Sequence, residues 1–115
     1  MAVAKNITDL TGRVAVVIGG TGGLGKAIAV GLAESGADVV PTGRRADLAE
    51  KACAEVEKVG RRSLCVQVDA TSRASIDALR DDTIEKLGRI DILVNAAGRT
   101  ARVQAKDISE SEWSA

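Results

Sequence analysis

The fold is decided by one glycine-rich stretch, Ile18-Gly19-Gly20-Thr21-Gly22-Gly23-Leu24-Gly25-Lys26. The residues before it, Val14 to Ile18, form a continuous apolar run rich in β-branched side chains, which is typical of a strand buried on both faces of a parallel sheet. The residues after it repeat apolar side chains at helical spacing from Gly23 to Ser35, and Gly36 is placed to end that helix. The stretch therefore predicts a strand, a tight turn and a helix in immediate succession.

A turn of this composition can hold a phosphate group. Glycines allow the chain to turn sharply, let backbone amides approach a diphosphate and let the helix pack close to the strand. The free amides at the start of a helix, with the positive end of its dipole, favour an anion there. A merely flexible turn is the alternative, which the flanking strand and helix disfavour. The residues expected around the diphosphate of a dinucleotide are Gly19, Thr21, Gly22, Gly23, Leu24 and Gly25.

The alternation of strand and helix continues along the chain. Val39 and Val40 predict a second strand that follows Asp38 and ends near Pro41 and Thr42. Asp47 and Glu50 resemble a capping box, which predicts the start of a second helix that ends near residue 60. Both elements follow the first strand and helix at the spacing of a β-α-β unit.

Extended stretches at 63–68 and 90–94 predict the third and fourth strands. Between them, Ser72 can cap a helix that runs to about Leu87, where Gly88 ends it, with Ile76 and Leu79 facing inward. Four strands alternating with three helices predict successive right-handed β-α-β units. We therefore predict an α/β fold with a Rossmann-type, doubly wound parallel sheet in three layers, α/β/α, of which residues 1–115 provide the first four strands in one domain.

A dinucleotide site also needs a reader for the adenosine ribose near the end of the second strand. An acid there would accept hydrogen bonds from a ribose 2′-hydroxyl, but the chain has Gly43, Arg44 and Arg45 instead. Cations beside a helix start are disfavoured by the dipole, and a bound 2′-phosphate would reverse that penalty. Solvated surface arginines are the alternative. We expect NADP in preference to NAD.

Two further turns are candidates at the carboxyl edge of the predicted sheet. Asp69, followed by Ala70, comes after the third strand, and its carboxylate could accept a hydrogen bond from an adenine amino group. A polar residue near the cap of the next helix is the alternative role for Asp69. The fourth strand ends in a turn where ligands collect in doubly wound sheets. Its residues are Asn95, Ala96, Ala97 and Gly98.

The composition excludes several classes of site and binding partner. The chain has 16 Lys plus Arg against 16 Asp plus Glu, so no basic surplus favours nucleic acid. Histidine is absent, which excludes a Ser-His-Asp triad and argues against a metal site. No stretch approaches the ~20 apolar residues of a membrane span. Two isolated cysteines, Cys53 and Cys65, are expected as small buried side chains in a reducing compartment, so we expect a cytoplasmic protein.

Taken together, these motifs resemble the short-chain dehydrogenase/reductase family over most of the chain, from about Leu10 to Trp113. The stretch from residue 18 to residue 25 is similar to the family pattern Thr-Gly-x3-Gly-x-Gly, and residues 95–98 to its Asn-Ala-Gly turn. The resemblance implies that Asp69 contacts adenine and that Arg44 marks NADP preference. It also implies an oxidoreductase that reduces a carbonyl or oxidises an alcohol, commonly as a homo-oligomer.

Two departures from the family pattern bear on function. Ile18 replaces the threonine whose hydroxyl ties the glycine loop to the Asn-Ala-Ala-Gly turn. In the family, the catalytic Tyr-x3-Lys pair, the Ser before it and an Asn in the helix begun near Trp113 normally lie beyond the position of residue 115, and the chain contains no tyrosine. We therefore expect no catalytic residue in this chain, which we interpret as the cofactor-binding part of a longer enzyme.

Other interpretations of the same residues stay open. The absence of tyrosine would suit a non-catalytic NAD(P)-binding sensor, or a module completed by a partner chain. A methyltransferase with an adenosine cofactor is a weaker alternative, because the glycine loop is longer and Arg44 replaces the expected acid. Residues 107–113 resemble the start of another helix, and the fourth strand has no following strand to lie beside it. Both features suggest that further sequence or another chain completes the sheet.

Overall fold

The predicted alternation of strands and helices is present in the computed structural model, which describes residues 9–96 of the chain. The strands in this range are β1 (Val14–Ile18), β2 (Asp38–Gly43), β3 (Val66–Gln67) and β4 (Ile92–Asn95). The helices are α1 (Gly23–Glu34), α2 (Ala46–Lys58) and α3 (Arg73–Leu87). The expected turn residues Ala97 and Gly98, and the helix expected at 107–113, lie outside the described residues.

The strands form one parallel sheet in the order β3-β2-β1-β4. The chain passes outward from β1 to β2 and β3, then returns to place β4 on the other side of β1. Ile18 at the end of β1 is in register with Thr42 on one side and Asn95 on the other. The carboxyl ends of three strands therefore meet beside the glycine loop, at the point where the strand order reverses. The prediction of a Rossmann-type sheet is confirmed.

Apolar side chains cover the sheet on both faces, as the unbroken apolar run of β1 predicts. One face packs Ala15, Val17 and Val39 against the helices α1 and α2. The other packs Val14, Val16 and Val40 against Leu79 and Leu87 of α3. The sheet is thus the middle layer of three.

The ends of α3 follow the prediction. The Ser72 hydroxyl accepts a hydrogen bond from the Ser75 amide at 3.2 Å, and Gly88 ends the helix in the left-handed conformation with φ of 87°. The capping box expected at the start of α2 is wrong. Arg45 is the N-cap, without a side-chain hydrogen bond to the helix, and Asp47 lies within the first turn, where its carboxylate accepts from Arg45 at 2.9 Å.

The third strand is shorter than predicted, because proline interrupts its pairing with β2. The Val39 amide donates to the Arg62 carbonyl at 3.1 Å, so a regular ladder would next join the amide of residue 41 to the Leu64 carbonyl. Pro41 has no amide hydrogen to donate. Regular pairing resumes only where Thr42 faces Val66, and residues 63–65 have no regular secondary structure.

Three other expectations need correction. Leu24, within the apolar pattern of α1, has 76% of its surface exposed, and the buried stripe is instead Gly25, Ala29 and Ala33. Cys53 is buried as expected, but Cys65 is exposed. The second strand begins at Asp38, earlier than predicted.

Within residues 9–96 no helix is both long enough and apolar enough to cross a lipid bilayer.

A side chain from the start of β4 completes the hydrogen bonding of β1. The Val14 amide donates to the Asp91 carboxylate at 2.9 Å, and only 14% of the Asp91 side chain is exposed. This hydrogen bond lowers the pKa of the Asp91 carboxyl against the opposing effect of desolvation, and the guanidinium groups of Arg89 and Arg13 lower it further. The ionised form of Asp91 therefore contributes to the stability of the central strand.

Candidate functional site

The glycine loop between β1 and α1 is held to the sheet by backbone hydrogen bonds. The amides of Gly19 and Gly20 both donate to the Thr42 carbonyl at 2.9 Å. The Thr42 side chain is fully buried, and its hydroxyl donates to the Val17 carbonyl at 3.3 Å. The loop is therefore anchored to the end of β2 through its own backbone amides.

The turn at the end of β4 is tied to the same place. The Ala96 amide donates to the Ile18 carbonyl at 2.8 Å, and Asn95 is in register with Ile18. Asn95 and Ala96 thus adjoin the first residue of the glycine loop, as expected of a site at this edge of the sheet. Ala97 and Gly98 of the same candidate turn lie outside the described residues.

Close packing leaves no room for a side chain at two of the candidate glycines. A Cβ at Gly25 would collide with the carbonyl group of Gly19, which is backbone and cannot rotate away. A Cβ at Gly43 would collide with the hydroxyl of Thr21. The start of α1 is thereby pressed against the loop, and the loop against the end of β2. Gly19 contributes to the site through this contact, since its amide is already bonded within the protein.

The first turn of α1 presents free hydrogen-bond donors. Among the described residues, the amides of Gly23, Leu24 and Gly25 have no acceptor, and the Gly22 N-cap has no side chain to provide one. A Cβ at Gly22 or Gly23 would meet open space. Three donors at the positive end of a helix dipole, with open space beside Gly22 and Gly23, form a site for an anion.

Arg44 and Asp69 lie together at the ends of β2 and β3. The guanidinium of Arg44 is 3.6 Å from Oδ1 of Asp69, and their side chains are 72% and 51% exposed. The Thr71 hydroxyl and amide both donate to the same carboxylate oxygen, at 2.7 and 2.9 Å. These hydrogen bonds lower the pKa of Asp69, against desolvation and with help from Arg44. The oriented Asp69 carboxylate and the exposed Arg44 guanidinium therefore lie next to the glycine loop, because Gly43, which precedes Arg44, packs against Thr21 of that loop.

The other two candidates differ in what surrounds them. The Arg45 side chain is 68% exposed, and its guanidinium pairs with the Asp47 carboxylate at 2.9 Å. It does not share the Asp69 carboxylate with Arg44. Ala70 is exposed in the turn that precedes α3. The backbone of that turn is ordered by the Ser72 amide, which donates to the Asp69 carbonyl at 3.0 Å. Asp69 therefore also has the structural role near the helix cap that its position allowed.

Sequence reasoning missed two residues that build this site. Thr42 fastens the glycine loop, and Thr71 orients the Asp69 carboxylate. The Asp-x-Thr spacing is a signal for Thr71, because an aspartate commonly accepts a hydrogen bond from the amide two residues later. Nothing local marks Thr42, since its carbonyl meets the loop amides only when β2 lies beside β1.

Comparison with known proteins places this arrangement in a family. The family model described as short chain dehydrogenase matches residues 13–115. The chain is 40% identical over 89 residues to 7alpha-hydroxysteroid dehydrogenase of Escherichia coli K12, covering 77% of this chain and 35% of the relative. It is 42% identical over 110 residues to NADP-dependent (R)-specific alcohol dehydrogenase of Lentilactobacillus kefiri, covering 93% and 42% of the two chains.

Solved structures agree with the sequence relatives. L-sorbose reductase from Gluconobacter frateurii, crystallised with NADPH and L-sorbose, superposes with a TM-score of 0.81 at 34% identity. That match covers 92% of this chain and 41% of the reductase. The chain thus spans less than half the length of these relatives, and residues 13–115, matched by the family model, include the glycine loop and the sheet described above. The chain belongs to the short-chain dehydrogenase/reductase family.

Proposed function

We propose that this chain forms the NADP-binding part of an oxidoreductase that interconverts a carbonyl compound and an alcohol. The observation that carries the proposal is one continuous surface at the carboxyl edge of the sheet. It joins the free amides of α1, the packed contact between Thr21 and Gly43, and the pair of Arg44 and Asp69. Family membership and an NADP-dependent relative support the same conclusion.

The residues present fit a nucleotide diphosphate. Gly23, Leu24 and Gly25 would donate their backbone amides to its oxygens, while the absence of side chains at Gly22 and Gly23 leaves space for its approach. Binding at this point requires no lysine or arginine, because the helix dipole and the oriented amides supply the favourable field.

The adenosine end of the cofactor would meet Arg44 and Asp69. Arg44 has one carboxylate neighbour at 3.6 Å and is otherwise exposed, so its guanidinium is available to a 2′-phosphate. Asp69, held by Thr71, would accept a hydrogen bond from the adenine amino group. The end of β2 has no acid that could accept a hydrogen bond from a ribose 2′-hydroxyl, because Gly43 and Arg44 occupy those positions. These features favour NADP over NAD.

When bound, the cofactor supplies hydride transfer, and the protein supplies binding and orientation. The residues of this chain would fix the dinucleotide at its phosphates and adenosine, beside the ends of β1 and β4. Proton transfer in the family uses a tyrosine, and no tyrosine occurs among these 115 residues. We assign no catalytic residue to this chain, and the substrate is proposed only as a small carbonyl or alcohol compound.

The Arg44→Ala variant tests the choice of cofactor. A charge-assisted hydrogen bond contributes about 1.5–3 kcal/mol, so the dissociation constant for NADPH should rise about 10-fold to 100-fold. Affinity for NADH should change much less, since that cofactor has no 2′-phosphate. Isothermal titration calorimetry with both cofactors measures the two effects.

A second arginine provides the matched control for this experiment. Arg80, in the middle of α3, is also exposed and also pairs with an aspartate, Asp81 at 3.1 Å, but lies about two helical turns from the Asp69 turn. Arg80→Ala removes the same charge and should leave both affinities nearly unchanged. Equal losses of NADPH and NADH affinity in Arg44→Ala would contradict the role given to Arg44.

The glycine loop is best tested at Gly22. Gly23 has φ of +56°, so any side chain there strains the backbone, whereas Gly22 is extended with φ of −161° and has open space around its Cβ position. Gly22→Val should therefore keep the fold while filling the approach of the diphosphate, and both cofactors should lose affinity at least about 10-fold. A folded Gly22→Val variant with unchanged affinity would place the diphosphate elsewhere.

A further inference from the structure

The two cysteines lie on facing elements away from the proposed cofactor site. Cys53 is on α2, and its thiol donates to the Leu64 carbonyl at 2.9 Å. This carbonyl is the one that would accept the amide of residue 41 in a regular ladder, and Pro41 leaves it without that donor. The Leu64 carbonyl accepts the Cys53 thiol instead, so the Cys53 sulfur lies within one peptide unit of Cys65.

The side chain of Cys65 is on the same face of the sheet as Cys53. Leu64 and Val66 pack into the core cluster on the α3 side. Side chains alternate between the two faces along a strand, so Cys65, between them, is directed to the opposite, α2 side, where its thiol neighbours Cys53. Cys53 belongs to α2, whose Val56 packs on that side of the sheet. The two sulfurs thus approach each other from α2 and from the segment before β3.

The environments of the two thiols differ: Cys65 is placed to react first with an oxidant, and Cys53 to react second, with the oxidised Cys65. Cys65 is exposed, whereas Cys53 is only 4% exposed. Burial raises the pKa of the Cys53 thiol to about 11, an effect that the Ser63 side chain opposes and the neighbouring Cys65 thiol reinforces. An oxidant in solution therefore meets Cys65 first, because its sulfur is accessible.

We propose that Cys53 and Cys65 form a reversible dithiol site for hydroperoxides, in which an intramolecular disulfide joins α2 to the segment before β3. The Cys65 thiolate attacks the O–O bond, which breaks to give a sulfenic acid at Cys65 and releases the other oxygen as water or alcohol. The Cys53 sulfur then displaces the sulfenic oxygen as water and forms the S–S bond. Two thiols lose two electrons, and the peroxide gains them. A dithiol reductant restores the reduced pair by exchange.

The site can be tested directly on the whole chain. The reduced protein is treated with hydrogen peroxide, which is then removed with catalase, and free thiols are alkylated after denaturation. Intact mass should show the loss of two hydrogens and no alkylated cysteine, and peptide mapping should join Cys53 to Cys65 within one chain. Treatment with dithiothreitol should restore both thiols. The proposal would be overturned if both cysteines remain open to alkylation, or if disulfides form only between chains.

Two single variants separate the roles of the thiols. In Cys53→Ser, Cys65 should be trapped as a sulfenic acid by dimedone, because no second thiol resolves it. In Cys65→Ser, Cys53 should stay reduced under the same treatment, because it is buried. Circular dichroism of the reduced variants checks that they are folded. If either variant is unfolded, the mapping of the wild-type chain still decides the question. Rapid oxidation of Cys53 in folded Cys65→Ser would contradict the order proposed.

Discussion

Two glycines of the same helix should respond in opposite directions to the same substitution. Gly25 and Gly31 both lie within α1, and alanine adds one methyl group at either position. At Gly25 that methyl group would collide with the carbonyl of Gly19, whereas at Gly31 it would meet nothing within 4 Å. Neither glycine has a positive φ. Packing is therefore the main difference between the two sites.

The magnitudes follow from helix propensity and from packing. Gly31→Ala should stabilise the chain by about 0.5–1 kcal/mol, the usual preference of a helix interior for alanine. Gly25→Ala gains the same preference but must displace backbone, and overpacking of this kind costs about 1–3 kcal/mol. Since the carbonyl of Gly19 cannot rotate aside as a side chain can, we expect a net loss of stability for Gly25→Ala.

Urea and thermal unfolding of the two variants and the wild-type chain, followed by far-ultraviolet circular dichroism, measure these differences. A gap of about 2 kcal/mol between the variants corresponds to at least about 8 °C in the unfolding midpoint for a domain of this size. If Gly25→Ala is as stable as Gly31→Ala, the close contact between the loop and α1 is not a constraint on the fold. If Gly31→Ala is destabilised, the open space assigned to that position is wrong.

Two further predictions concern the polar contacts of the fold. Because the pKa of Asp91 is lowered on folding, its stabilising effect should be complete above the ordinary aspartate pKa of about 3.9 and lost as pH falls through the lower folded value. The difference in unfolding midpoint between the wild-type chain and Asp91→Asn should therefore shrink at low pH, while Asp81→Asn, on the surface of α3, should show little difference at any pH. Ser72→Ala should destabilise the chain by about 0.5–2 kcal/mol in urea unfolding, since it removes the N-cap of α3, and Ser72→Asp should retain most of the stability. Equal losses in the two Ser72 variants would show that the cap hydrogen bond is unimportant.

The sequence by itself predicted the order of elements, because the signals for that order are local. The apolar run of β1, the glycines after it, the Ser72 cap and the Gly88 terminator act within a few residues of where they stand. The same signals predicted a parallel sheet and the edge at which a dinucleotide would bind. Arg44 and Asp69 were predicted as site residues from their places after two strands, and they lie 3.6 Å apart.

Only the tertiary structure decided which distant groups meet. Pro41 shortens β3 because it has no amide hydrogen for the Leu64 carbonyl, and that hydrogen bond would join segments more than 20 residues apart in sequence. Leu24 is exposed because Gly25 must face the loop, which fixes the rotation of α1 and overrides its apolar pattern. The Thr42 carbonyl becomes an anchor for the glycine loop, and Cys53 comes to face Cys65, only after sheet and helices pack. Periodicity reports the neighbours of a residue along the chain, whereas hydrogen-bond partners and steric limits across the sheet depend on register and docking, which the chain acquires on folding.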